Sequence, residues 1–175
     1  MSWITYINGF NNYLLIEKSL SKNTVDAYIR DIKKLANFFL TKNEKIKIND
    51  ISYKDFQVYL AYLNDEKIKP RSQSRIISSI RSFFKFLVIE KIIVNNPSEL
   101  LETPKTGKKL PEFLSIDEIN LLVNEVDRSK KEGERNLAIL EVLYGCGLRV
   151  SELIELKISE IYWSDGFIRI IGKGN

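Results

Sequence analysis

The chain has 175 residues, 44% of them apolar and 11% aromatic, with only four prolines and eight glycines. That composition excludes a disordered or fibrous polymer, and no apolar run approaches the roughly eighteen residues of a membrane span. Twenty-seven basic and twenty-three acidic side chains leave a net charge of +4, and the single cysteine, Cys146, excludes an internal disulfide.

The start, Met1 to Thr5, lacks the basic region and apolar stretch of a signal peptide, so the expected location is a reducing cytoplasm. The charge is unevenly spread. Residues 1–104 hold sixteen Lys/Arg and eleven Asp/Glu, a net of +5, whereas residues 105–175 hold eleven and twelve, a net of −1. A polyanionic partner for the first part would explain the asymmetry, as would ordinary solvated lysines.

Along the chain, apolar residues at three- and four-residue spacing predict helices over 2–18, 22–41, 52–66 and 71–92. In the second, Val25, Ile29, Ile32, Leu35, Ala36 and Phe39 form a core stripe, and Ser21 or Asn23 is placed to cap its start. The fourth divides sharply. Ile76, Ile77, Ile80, Phe84 and Leu87 occupy one side, while Arg71, Ser74, Ser78, Arg81 and Lys85, with Arg75 at the margin, occupy the other. Short hydroxyls let a helix approach closely, and the cations reach phosphates or guanine edges, so this face is a candidate for duplex DNA. The plainer reading is a solvated helix face. Lys22, Asn23, Tyr28 and Arg30 on the second helix are weaker companions, for which capping, packing and solvation are the competing roles.

Asn96-Pro97 ends the helical stretch, and the run from Pro104 to Pro111 lacks apolar periodicity and reads as a linker over 105–111. The expected division is therefore a helical domain over 1–104 and a second, partial domain over 112–175. Ser115-Ile116-Asp117-Glu118 is a capping box for a helix to about Val126, and helices near 133–145 and 149–156 should follow. The period then changes. Ile161-Tyr162-Trp163 and Phe167 to Ile171 flank Ser164-Asp165-Gly166, whose Asp-Gly predicts a hairpin. Tyr144 and Tyr162 stand in apolar surroundings and are expected to pack in the core.

Two cations in this second part carry chemistry. Arg149 follows the Gly145-Cys146-Gly147 break, where backbone can approach a ligand, and its planar fork suits two oxygens of a phosphate; Glu152 would orient it. The alternative is a salt bridge to Glu152 or Glu155. Lys173, between Gly172 and Gly174 after a strand, is either a turn lysine or a proton donor on a loop.

Taken in order, Ser21-Lys22-Asn23-Thr24 with Tyr28 and Asp31, Ser79 to Leu87, Asn96-Pro97, Pro104-Lys105, Leu110-Pro111, Gly147-Leu148-Arg149-Val150-Ser151-Glu152-Leu153 and Gly172-Lys173-Gly174-Asn175 resemble the tyrosine recombinases, the lambda-integrase-like family, and its Xer subgroup in particular. The resemblance covers essentially the whole chain. It implies a mainly α fold: a four-helix, SAM-like core-binding domain followed by the beginning of an α+β catalytic domain with a small β-hairpin. It further implies a double-stranded recombination site as partner, with Lys105 among the DNA contacts, and no metal or nucleotide cofactor. A tyrosine would attack a phosphodiester to give a 3′-phosphotyrosyl link, with Arg149 on the nonbridging oxygens and Lys173 as general acid toward the leaving 5′-oxygen. A sister Xer recombinase, a DNA translocase and chromosome-dimer resolution belong to the same expectation.

The family pattern continues with a His-x-x-Arg box, a further His or Trp, and the nucleophilic tyrosine, whereas this chain holds no histidine and stops at Asn175. The expectation is thus a C-terminally truncated recombinase that does not cleave DNA as it stands. Two other readings remain: an integrase or invertase of a mobile element, and a noncatalytic DNA-binding or protein-interaction module.

Overall fold

The computed structural model describes residues 2–104, 107, 110 and 112–172. Lys105 and Lys173 lie outside the described residues. The chain divides into two compact units, Met1–Lys108 and Lys109–Asn175.

The first unit is helical. Helix α1 (Trp3–Asn12) runs into a wider π turn over Tyr13–Glu17, in which the Lys18 amide donates to the Tyr13 carbonyl at 3.1 Å. It is followed by α2 (Lys22–Lys42), α3 (Tyr53–Asp65) and α4 (Pro70–Ile89). Proline opens α4 at its first turn, where an unpaired N–H is no loss. Ser21 stands at the start of α2, but its hydroxyl lies 2.9 Å from the Thr24 hydroxyl and caps no backbone amide.

The apolar stripes read from the sequence meet in one core. Val25, Ile32, Leu35, Ala36 and Phe39 of α2 face Ile76, Ile77, Ile80, Phe83, Phe84 and Leu87 of α4 there, and Ile29 packs at its edge. Phe84 sits edge-on to Phe56 at 5.0 Å and to Phe83 at 5.5 Å, an arrangement that suits the ring quadrupoles. α4 is therefore anchored along one whole side, which fixes what its other side presents.

In the second unit, Ser115 caps α5 (Ile116–Asn124) as its sequence predicts: its hydroxyl accepts the Glu118 amide at 3.2 Å, and the Glu118 carboxylate accepts the Ser115 amide at 2.7 Å. α6 (Gly133–Cys146) ends at Gly147, whose φ of 63° is left-handed and suits glycine. α7 (Val150–Glu155) and a two-stranded antiparallel hairpin follow, β1 (Ile161–Tyr162) against β2 (Phe167–Ile168), with Ile161 opposite Ile168. The strands are shorter than the apolar runs suggest: the Asp165 and Gly166 amides donate to the Tyr162 carbonyl at 3.2 and 2.9 Å, so the turn already begins at Trp163, which is 79% exposed.

The expectation that Tyr144 and Tyr162 pack in a core is corrected: they are 54% and 36% exposed. Tyr144 does lie among apolar residues, beside Leu114, Leu140 and Leu143. Yet Gly133 is the one buried residue among the described residues beyond the linker, and the Tyr162 ring, although it stacks on Phe167 at 4.5 Å, stays on the surface as Tyr144 does. Among the described residues no helix is long and apolar enough to cross a membrane.

Candidate nucleic-acid interface and phosphate site

The polar side of α4 separates into free and committed side chains. Arg71 and Lys85 are exposed and enter no ion pair among the described residues. Ser74 and Ser78 are half-buried, and each hydroxyl donates back along the helix, to the Pro70 carbonyl at 3.1 Å and the Ser74 carbonyl at 2.9 Å. Such back-bonding leaves the oxygen lone pairs outward while the hydrogen is used.

Arg81 is committed. Its Nη2 donates to the carbonyl of Leu101, a residue 1% exposed, while its Nε–H is buried without a partner among the described residues. Ser98, fully buried, donates both its amide and its hydroxyl to the Asn96 side chain at 3.0 and 2.7 Å. Arg81 thus holds the segment after α4 against the helix.

Arg75 reaches the other way, to α2. Its Nη1 donates to the Asp31 carboxylate and, at 3.4 Å, to the Ala27 carbonyl. Asp31 is 1% exposed, and the buried Ser79 hydroxyl donates to the same oxygen at 2.9 Å. A carboxylate that deep is costly to bury unless paired and hydrogen-bonded, and both conditions hold. Asp31 and Ser79 enter the sequence reading only among the residues that carry the family resemblance, with no site role assigned to either. The available signal was an aspartate directly before the core residue Ile32, and a serine embedded among Ile76, Ile77 and Ile80.

On α2, Lys22, Asn23 and Arg30 are exposed, while Tyr28 is half-buried against the core. Asn23 and Arg30 fall one turn to either side of Ala27, the residue Arg75 touches, so helical spacing puts them beside the α2–α4 seam.

In the second unit Arg149 begins α7. Its amide donates to Glu152 Oε2 at 2.8 Å, and its Nη1 to Glu152 Oε1 at 2.5 Å. The Arg149 backbone bond, followed by the side-chain bond, holds the Glu152 carboxyl below the usual glutamate range. The Arg149 side chain is nevertheless 74% exposed, so most of the guanidinium edge faces solvent. Glu152 also borders a cleft of about 540 Å³ lined by Glu155, Lys157, Glu160 and Arg169. Chemically, Arg149 is a surface cation whose backbone is fixed by its own helix cap.

Comparison with known proteins follows the same division. A family model described as the phage integrase N-terminal SAM-like domain matches residues 7–91, and one described as the phage integrase family matches residues 112–175. A tyrosine recombinase XerD from Staphylococcus epidermidis is 41% identical over 174 residues, covering 98% of this chain and 58% of the relative. A XerD from Staphylococcus aureus is 40% identical over 171 residues, with the same coverage of 98% and 58%. The chain therefore spans less than two thirds of the length of these relatives. Among solved structures, a lambda integrase tetramer bound to a Holliday junction superposes with a TM-score of 0.70 at 20% identity, over 97% of this chain and 47% of that one. A lambda integrase dimer bound to a COC′ core site gives a TM-score of 0.70 at 21% identity, over 97% and 45%.

Proposed function

Because the chain belongs to the phage integrase family of tyrosine recombinases, we propose that it is the DNA-clamping and early catalytic part of a Xer-type site-specific recombinase, with duplex DNA as its partner. The observation that carries this reading is α4: a helix anchored along one side by Ile76, Ile80, Phe84 and Leu87, with Arg71, Arg75 and Lys85 on the other. Lys22 and Arg30 of α2 extend the basic surface, and Ser74 and Ser78 admit a phosphate backbone at close range. Arg81 serves differently, holding the Leu101 carbonyl, and Tyr28 supports the core edge.

The chemistry follows from the residues. Arg149 engages the nonbridging oxygens of the scissile phosphate, its guanidinium staying charged while Glu152 restrains its direction. Lys173, with Lys105 as a further DNA contact, completes the reading on the strength of family resemblance. In the whole protein a tyrosine beyond this segment forms the 3′-phosphotyrosyl bond, the leaving 5′-oxygen is protonated, and rejoining reverses both steps. Its cellular setting is the cytoplasm, with a sister recombinase and a DNA translocase in chromosome-dimer resolution.

The test is a salt titration of binding to a labelled mixed-sequence duplex by fluorescence anisotropy. Five exposed or half-exposed cations, Lys22, Arg30, Arg71, Arg75 and Lys85, each releasing about 0.9 counterion, give a slope of about −4.5 in log K against log salt. Affinity then falls roughly 500-fold on a fourfold rise in salt. A slope shallower than about −1 removes this face as the DNA surface.

A further inference from the structure

Asp31 is the most deeply buried charge among the described residues of the first unit, at 1% exposure, and its two side-chain partners there both come from α4: Arg75 and Ser79. Ser79 is itself 0% exposed, and its one hydroxyl proton is shared between the Asp31 carboxylate at 2.9 Å and the Arg75 carbonyl at 3.0 Å, so the carboxylate is held from within the core. Arg75 is different in kind. Its side chain is 41% exposed, and only Nη1 is used, on Asp31 and on the Ala27 carbonyl. The donors on Nε and Nη2 meet no protein acceptor among the described residues.

Stability is a weak explanation for such an arrangement. A buried ion pair is often no better than apolar residues of the same volume, because desolvation cancels the attraction. What the pair does provide is direction: a long, rotamer-rich side chain is fixed at one end, with the rest of its fork turned toward solvent. Binding by a preordered arginine avoids the entropy lost when a free one is immobilised. Asn23 and Arg30 flank the same point on α2, so the fork lies in a polar setting that both helices contribute to.

We propose that Asp31 is a positioning residue for DNA binding: with Ser79 behind it, it aims the free edge of Arg75 at a backbone phosphate in the α2–α4 seam. This rests on the DNA-binding reading above, and the experiment separates the two. Asp31→Asn keeps the shape of the side chain and an oxygen able to accept from Arg75 and Ser79, but removes the charge that holds the guanidinium. Bulk electrostatics makes the opposite forecast, since deleting a negative charge from a DNA-binding surface strengthens binding to a polyanion.

The measurement is affinity for the labelled mixed-sequence duplex, using the 175-residue chain, across a range of salt, with circular dichroism confirming the fold of each variant. Positioning predicts that Asp31→Asn weakens binding about tenfold, the scale of one charge-assisted hydrogen bond, and flattens the salt slope by about 0.9. Arg75→Ala is expected to do the same, and the double variant to bind no worse than Arg75→Ala alone. Should Asp31→Asn fail to fold, Ser79→Ala replaces it: this variant keeps the carboxylate and removes one of its holders, and it is expected to weaken binding in the parent and not in the Arg75→Ala background. Unchanged or tighter binding by a folded Asp31→Asn overturns the proposal, as does unchanged binding by a folded Ser79→Ala where that variant stands in. Unchanged binding by Arg75→Ala alongside loss in Arg71→Ala or Lys85→Ala also overturns it while leaving the DNA face standing. Salt-insensitive binding, or none, by the parent chain overturns the DNA-binding reading itself.

Discussion

Tyr59 offers a sharp test of the first unit's physics. It is 1% exposed, its ring lies 5.0 Å from Phe38 and 6.2 Å from Tyr62, and its hydroxyl is buried with no hydrogen-bond partner among the described residues. Tyr59→Phe keeps the ring, its contacts and nearly all its volume, and deletes only the unpaired polar group. A buried donor left unpaired costs about 1–3 kcal/mol, so the substitution is expected to stabilise the protein. For a unit of about 100 residues each kcal/mol gained raises Tm by roughly 4–8 °C. Thermal melts followed by circular dichroism measure this directly.

A second readout is alkaline pH. Burial first, then the nearby Asp31 charge and Tyr62, push the Tyr59 hydroxyl well above the ordinary tyrosine value of 10.0. Above about pH 10 the unfolded chain has lost a proton that the folded chain retains, so stability falls as pH rises, by up to about 1.4 kcal/mol per pH unit. The contribution is fully present below that pH, and Tyr59→Phe is expected to remove this alkaline loss. A lower Tm for Tyr59→Phe would refute the reasoning, because it would mean that the hydroxyl holds a stabilising partner.

Other consequences concern the second unit. A Cβ on Gly133 would lie 2.4 Å from the Asp127 carbonyl oxygen and 2.7 Å from Arg128 Cα, both backbone atoms that cannot swing aside. Gly133→Ala is therefore expected to displace the start of α6, seen as faster amide exchange over that turn, whereas unchanged exchange would show that the 127–133 loop yields freely. Glu152, held below the usual glutamate range by the Arg149 amide and guanidinium, contributes its cap above the ordinary carboxyl pKa and loses it as pH falls through the lowered value. An NMR titration of its carboxyl should show that displacement, and Glu152→Gln should broaden the Arg149 side-chain resonances. An ordinary glutamate titration would contradict the cap.

The helices of the first unit were legible because their apolar spacing is long and regular: the α4 stripe from Ile76 to Leu87 reads as one buried face in the sequence and is one in the structure. The Ser115 capping box and the hairpin turn at Gly166 were legible because each is encoded within four residues. What was not legible depends on partners distant in sequence. Arg75 and Arg81 both read as cations of the polar side of α4, yet one pairs with Asp31, forty-four residues away, and the other with the Leu101 carbonyl, twenty residues away. Burial of Tyr144 was misread for a related reason: an apolar neighbourhood in sequence says nothing about whether a second layer lies over it. Exposures of 90% at Phe113 and 79% at Trp163 make the same point.

The ion pair joining α2 to α4 also fixes a distance. Sliding one helix past the other by a residue would strand the Asp31 carboxylate in apolar surroundings, a displacement the core strongly resists. The two helices therefore behave as one rigid ruler, whose graduations are set by an interior charge and read out on the surface.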